Sequence, residues 1–500
     1  MDNKPAGIET TRSISQGKPI GCSVHQRKSK LKPTPSALSE VFAHLSHPSI
    51  LGGNQAIAAT GRFSYWTAEP KEVFEFRTGE QEPFEKLQGV LSKYTLKEKC
   101  SESLPSGMFT GGWIGYFGYE LGRYIDKLPA TTIDDISMPL IRLCFYDRLI
   151  AYDHANDIFL LIALSMANDP ESPEEKLTSL ERLLAEAHDH SIADMPAANL
   201  AEIDLSQTRC NMPRDYFMRM FDKIKRHIYD GDVYQINFSQ RFESDFQGRP
   251  IDLYHWENRY NPAPYAAYID TGQFQVVSTS PELFVEISDG RIQTKPIKGT
   301  RPHISENLQD CGYARLVNQN NYRELLNSEK ERAELNMIID LERNDVARIC
   351  EPGTRGVLQG RTIETYATVF HAVATVGGRL RAGTTFCDVL KAMFPGGSIT
   401  GAPKIRAMEI IDEIEPTARG LYTGSIGYIS LDGSVCLNIA IRTAIITGQK
   451  AYVQTGSGIV ADSDAQAEWD ETITKAKALL AGIKATCGCR DRVLELHKNG

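Results

Sequence analysis

Two dipeptides, Asp289-Gly290 and Asp432-Gly433, each lie between runs rich in β-branched and aromatic residues. A tight two-residue turn needs positive φ at its central positions, which Asp and Gly tolerate, so each pair predicts a hairpin. Helix starts are mixed among these strands. Ser328-Glu-Lys-Glu331 and Ser463-Asp-Ala-Gln466 both have the spacing of a capping box, a hydroxyl followed three residues later by Glu or Gln. Hairpins interspersed with helices, without βαβ alternation or a fixed-period repeat, predict an α+β fold of large mixed or antiparallel sheets flanked by helices.

The 500 residues exceed what one minimal core requires. Residues 1–35 are polar and end in a basic stretch, which predicts a disordered arm. Residues 36–200 form a first subdomain, and Asn168-Asp-Pro-Glu-Ser-Pro173 opens the polar stretch expected to separate it from a catalytic domain over 208–482. Residues 483–500 are a tail. The net charge of −9 excludes a general nucleic-acid binder and requires that any site for an anion be locally positive. No apolar run is long enough for a membrane span, so a cytoplasmic protein without membrane contact is expected. The ten cysteines are scattered and read as reduced thiols. Cys487 and Cys489 are two thiolates where a structural zinc site takes four ligands.

Three constellations can carry chemistry. In the helix after Ser328, Glu334, Ile338 and Leu341 share one stripe, which points a carboxylate along an apolar face. In the helix after Ser463, Glu468 and Glu471 share a face, although Glu471 with Lys475 is also an ordinary i, i+4 ion pair. These glutamates could instead ligate a hard cation that keeps its waters, as Mg²⁺ does. The hairpin around Asp289-Gly290 holds Glu282 and Lys298 in its two arms. A plain two-residue turn puts them on opposite faces, whereas one irregularity near Pro296 brings them together. Finally, Arg442 interrupts an apolar run and needs an anion, either a structural acid or a substrate carboxylate. Thr455-Gly-Ser-Gly458 reads as a turn whose backbone N–H groups can approach a carboxylate. The run Gly396–Gly401 carries Ala402 where a phosphate loop needs Lys, which excludes that motif.

Taken in order, Gly231-Asp-Val-Tyr-Gln-Ile-Asn-Phe-Ser-Gln240, Ser280-Pro-Glu282, Pro296-Ile-Lys-Gly-Thr300, the 331–345 helix, Pro395–Lys404, Arg419-Gly-Leu-Tyr422 and Gly456–Glu471 resemble the chorismate-utilising enzymes. That family includes the component I chains of anthranilate and aminodeoxychorismate synthases and the isochorismate and salicylate synthases. The resemblance spans about 36–482 and implies a β-sandwich core of the anthranilate synthase component I type. Isochorismate and salicylate enzymes carry a water-activating Lys where Gln235 stands, and anthranilate synthases carry Ala where Lys298 stands. Gln235 with Lys298 is the aminodeoxychorismate combination.

The resemblance further implies Lys298 as a covalent nucleophile with Glu282 as general acid. It implies Glu334 and Glu471 as Mg²⁺ ligands with Glu468 nearby. Chorismate would contact Gly299, Thr300, Tyr422, Arg442, Gly456, Ser457, Gly458 and His371, although His371 also fits a satisfied core histidine. No cysteine lies in a Gly-x-Cys-x-Gly nucleophile turn, so a separate glutamine amidotransferase subunit is expected to supply ammonia. The rival readings are anthranilate synthase component I and a non-catalytic chorismate- or tryptophan-binding subunit. Ser49-Ile-Leu-Gly-Gly-Asn54 lacks the Ser that tryptophan-binding relatives carry, which argues against tryptophan.

Overall fold

A computed structural model describes residues 18–53, 61–98, 104–190, 197, 203, 205, 208–304 and 311–487. Two sheets dominate. In a thirteen-stranded sheet the strands run Arg209–Cys210, Gln235–Asp245, Lys450–Ile459, Thr443–Thr447, Gln275–Ser280 and Tyr265–Asp270, and then continue into Ser49–Leu51, Phe63–Thr67, Arg148–Asp153, Ile158–Met166, Ile20–Lys28 and Tyr94–Glu98, with the short strand Gly401–Ala402 also pairing with Gln235–Asp245. A ten-stranded sheet runs from Ile297–Pro302 through Val369–Arg379 and Leu283–Ser288 to Ser425–Ser430, then into Gly112–Phe117, Ile141–Tyr146 and Glu72–Phe76. Both sheets therefore cross the boundary expected near residue 200. Leu51 pairs with Ala267 in one, and Ile114 with Tyr428 in the other. The two halves complete each other's hydrogen-bond ladders.

The near-continuous apolar runs of the first half follow from this layering. Along Ile158–Met166, Leu160, Ile162 and Leu164 face the core between the sheets, while Phe159, Leu161 and Ala163 face a second core. That second core lies under the helices Pro35–Ala43, Pro173–His188, Pro250–Tyr260 and Ala465–Cys487. Side chains alternate along a strand, so one covered on both faces must be apolar throughout. Three of these helices open on proline, whose missing N–H costs nothing in a first turn. Among the described residues no helix is long and apolar enough to cross a membrane.

Two expectations are corrected. Residues 20–28, assigned to a polar arm, form a strand antiparallel to Ile158–Met166, with Val24 opposite Leu164. Cys22 and Val24 are buried, with Ile20 packed on the same core, and Arg27 pairs with Glu181 at 2.6 Å, so a mostly polar composition conceals a half-buried strand. Residues 1–17 lie outside the described residues. At the other end the helix passes residue 483 and runs to Cys487, with Ile483 buried. Cys489 lies outside the described residues.

Candidate functional site

The site begins with the hairpin. Asp289 and Gly290 have φ of 49° and 71°, and Ile287 faces Ile292 as a two-residue turn requires. The register then slips between Leu283 and Glu286, and the returning arm breaks at Pro296. Pro296 has no N–H to continue the ladder. Beyond it Ile297–Pro302 pairs with Val369–Arg379, and the Ile297 amide donates to Glu282 Oε1 at 3.4 Å. Gly299 has φ +93°, and a Cβ there would sit 2.9 Å from Glu331 and Leu325. These irregularities bring Glu282 and Lys298 to one place, which a regular hairpin would prevent.

Lys298 Nζ donates to the Ser398 carbonyl at 3.2 Å, and a Cβ on Gly458 would lie 3.6 Å from it. Burial lowers the pKa of this amine, and the negative field of Glu282, Glu334 and Glu471 offsets the effect only in part. Glu282 is buried and its carboxyl is pushed up by desolvation, eased by the Ser398 side chain, Lys298 and the Ile297 amide. Both members of the pair are driven toward their neutral forms. Lys298 and Arg442 are nonetheless part-exposed and the Glu471 side chain is half exposed, although protein surrounds them on most sides. Side chains lining the floor of an open recess behave this way. A hollow of about 170 Å³ elsewhere, lined by Arg123, Asp134 and Arg241, includes none of them.

Two helices bring carboxylates to the recess. Ser328 caps Glu329–Ala347, accepting from the Glu331 amide at 3.4 Å. In the second helix the cap is Asp464, which accepts from the Ala467 amide, and not Ser463 as expected. Ser463 instead donates to Glu468 Oε1 at 2.6 Å. Burial raises the Glu334 carboxyl, and Glu331 and Glu468 add like charge, partly opposed by Lys298 and Lys330. Burial would raise Glu471 too, but Lys475 at 2.7 Å outweighs it and holds this carboxyl low. Lys475 also donates to the Gly456 carbonyl at 2.9 Å, so the ordinary i, i+4 pair forms and is tied to the site. Among the described residues no three His, Cys, Asp or Glu side chains close to metal-binding distance. Among the described residues Glu334 has Lys330 at 4.0 Å as its ion-pair partner, and a carboxylate this weakly paired is the kind of donor a hard divalent cation takes.

Further polar atoms near the site are buried without protein partners. Arg442 adopts φ +48°, and its guanidinium makes no hydrogen bond or ion pair with the described residues. His371 Nδ1 meets Thr300 Oγ1 at 2.8 Å, while its buried Nε2 has no protein partner. Burial, then Arg442, pushes this imidazole down to about 3, so it is neutral at physiological pH. Both amide atoms of Gln235 and the hydroxyl of Ser457 are buried without protein partners. Each such atom costs about 1–3 kcal/mol unless something else satisfies it. Gly456–Gly458 is not the expected turn. It lies inside the Lys450–Ile459 strand, with Ser457 opposite Phe238. Its glycines permit close approach, since a Cβ on Gly456 would sit 2.9 Å from Tyr422 Oη and one on Gly458 3.2 Å from Gln235.

Lys298 thus lies among Glu282, Gln235 and Gly458 and in the field of Glu334 and Glu471, while Glu468, bonded to Ser463, adds like charge to Glu334. Arg442 acts on His371, which is bonded to Thr300 beside Gly299, and Tyr422 lies against Gly456. Ser457, between Gly456 and Gly458 in the strand, points to the other face from them. Ser398 was not anticipated, because it acts on Lys298 through a main-chain oxygen that any residue would supply.

The model of the chorismate binding enzyme family matches residues 53–481. The chain is 37% identical over 393 residues to aminodeoxychorismate synthase component 1 of Bacillus subtilis, covering 78% of this chain and 80% of that one. It is 38% identical over 405 residues to anthranilate synthase component 1 of Aquifex aeolicus, covering 81% and 80%. The crystal structure of anthranilate synthase component I from Streptococcus pneumoniae superposes with a TM-score of 0.70 at 33% identity, covering 84% of this chain and 92% of that one. With its matching fold, a family match over most of its length and relatives at this level of identity, the chain belongs to the chorismate-binding enzyme family.

Proposed function

We propose that the chain is component 1 of an aminodeoxychorismate synthase, converting chorismate and ammonia to 4-amino-4-deoxychorismate and water. The carrying observation is Lys298, an amine biased toward its neutral form beside a carboxyl biased toward its acid form. A nucleophile needs the free amine and a leaving hydroxyl needs a proton donor, and this pair offers both.

Lys298 Nζ forms a bond to C2 of the ring as the ring double bond shifts and the C4 hydroxyl departs as water, protonated by Glu282. Ammonia then bonds to C4, the double bond returns, and the lysine leaves. The pyruvyl ether is untouched. Gln235 supplies hydrogen bonds where a lysine would activate water against the ring. Arg442 pairs with a substrate carboxylate. Glu334 and Glu471, with Glu468 beside them, would hold a Mg²⁺, whose double charge neutralises the substrate's anionic groups. Ammonia comes from a glutamine amidotransferase subunit, consistent with relatives named as component 1 and with ten cysteines none of which sits in a nucleophile turn.

The rival is anthranilate synthase, favoured by relatives of that name at equal identity. One incubation of the protein with chorismate, Mg²⁺ and ammonium separates them, read by product mass and pyruvate. A product that retains its pyruvyl group, lost on chelation, supports the proposal. Pyruvate with a fluorescent aromatic amine from this protein alone defeats it. Mass spectrometry of a trapped adduct on the wild type, absent from Lys298→Ala, tests the covalent step.

A further inference from the structure

Glu342 lies on the same helix as Glu334 but faces the interior, 3% exposed. Its Oε1 accepts the Gly397 amide at 3.1 Å, and its Oε2 has no protein partner. Gly397 opens the short turn Gly397–Ile399. Ser398, the next residue, offers its carbonyl to Lys298 Nζ at 3.2 Å and its side chain to Glu282. A Cβ on Gly397 would lie 2.5 Å from Leu341 and 3.1 Å from Glu342 Oε1, so the turn rests directly on the helix.

We propose that Glu342 is a positioning residue that fixes the Gly397–Ile399 turn, through which Ser398 holds Lys298 and Glu282 in register. The proposal rests on the reading of Lys298 as nucleophile. A hydrocarbon side chain would fill this interior position but would leave the Gly397 amide without an acceptor. The charged groups facing Glu342 are Lys404 from the helix Lys404–Ile414, Asp345 from its own, and Glu282 across the turn. Lys404 is committed elsewhere, pairing with Asp345 at 2.5 Å and donating to the Met393 carbonyl at 2.8 Å. Burial pushes the Glu342 carboxyl up to about 7, and either protonation state leaves an oxygen for the amide.

The test compares Glu342→Gln with Glu342→Leu in the full chain. Gln loses the charge and keeps the acceptor, whereas Leu loses both. Expected is a Gln variant within about twofold of wild-type kcat and a Leu variant about tenfold lower, both with KM for chorismate little changed. The pH midpoint for labelling Lys298 with an amine-selective reagent should fall in Leu relative to Gln, by about half a unit or more, because a hydrogen bond to the ammonium favours the charged form. Equal kcat in Gln and Leu overturns the proposal, as does a Leu variant whose loss of rate comes with an unmoved labelling midpoint. Should the Leu variant fail to fold, Glu342→Met gives the same reading with a more adaptable chain. A wild type that makes no 4-amino-4-deoxychorismate defeats the functional reading instead, and the labelling comparison still tests the turn.

Discussion

Two lysines in this chain are surrounded by acids, and their differences separate structure from chemistry. Lys176 is fully buried, donates to the Leu164 carbonyl at 2.7 Å, and pairs with Asp147 at 2.6 Å and with Asp169. Two hydrogen bonds and an ion pair to a further carboxylate enclose it. Lys298 has one acceptor at 3.2 Å, and its acids act on it mainly through space. A saturated ammonium has no proton to give up and no lone pair to offer. Spare valence beside a carboxyl of raised pKa is what a nucleophile requires.

Exchanging each lysine for methionine tests that contrast most severely. Lys298→Met should lower the rate of product formation at least about a thousandfold. Its denaturation midpoint should stay unchanged or rise, because a poorly paired amine has been replaced by hydrocarbon. Lys176→Met should do the reverse. Asp147 is buried and the Asp169 side chain nearly so; Lys71 stays 3.4 Å from each and Arg148 beside Asp147, so removing the buried cation should cost at most about 3 kcal/mol in chemical denaturation with the turnover of the folded fraction intact. If both variants lose stability equally and both keep activity, the distinction between saturated and spare lysines is wrong.

The sequence made parts of this contrast legible. Both Asp-Gly hairpins form, with Ile287 opposite Ile292 and Ile429 opposite Val435. The apolar stripe through Ile338 faces inward, and Arg442 does interrupt a buried run. Other features left no mark. Ser398 acts on Lys298 through its carbonyl, which carries no residue-specific signal, and on Glu282 through a hydroxyl more than a hundred residues away in sequence. Glu342 is one of many charges in a polar-looking helix, and only the fold separates the inward one from the solvated ones. The Gly456–Gly458 run looks like a turn because glycine serves both turns and close approach, and one chain alone does not separate the two uses. The Ile20–Lys28 strand buries two side chains amid polar ones, too weak a period to stand out.

Arginines repeat the contrast at smaller amplitude. Arg419 is buried and saturated, held by Glu415 at 2.8 Å and by the Ile399 and Asn237 carbonyls. Arg442 has no such partners among the described residues. Arg442→Lys should raise KM for chorismate about a hundredfold with a smaller change in kcat, since a point charge replaces a bidentate fork. An unchanged KM would return Arg442 to the structural class.

The mildest test concerns an acid. Glu257 is fully buried, with Oε2 accepting from Asn261 at 2.9 Å and Oε1 unpartnered against Gly482 of the Ala465–Cys487 helix. Burial raises its carboxyl to about 8, opposed by Asn261 and by the charge of Arg442. In the unfolded chain this group ionises near the ordinary glutamate value of 4.5, whereas the folded protein keeps its proton until about pH 8. Between those values the unfolded state binds fewer protons, so stability is full below the lower value and declines as pH rises toward the upper. Glu257→Gln removes the titration and keeps an acceptor for Asn261. The stability difference between variant and wild type should therefore grow in the variant's favour by about 2 kcal/mol between pH 5 and pH 7. A constant difference would mean that Glu257 is already ionised in the folded protein, paired across the core with Arg442. That outcome would remove Arg442 from the arginines with spare valence and weaken the case that it waits for a substrate carboxylate.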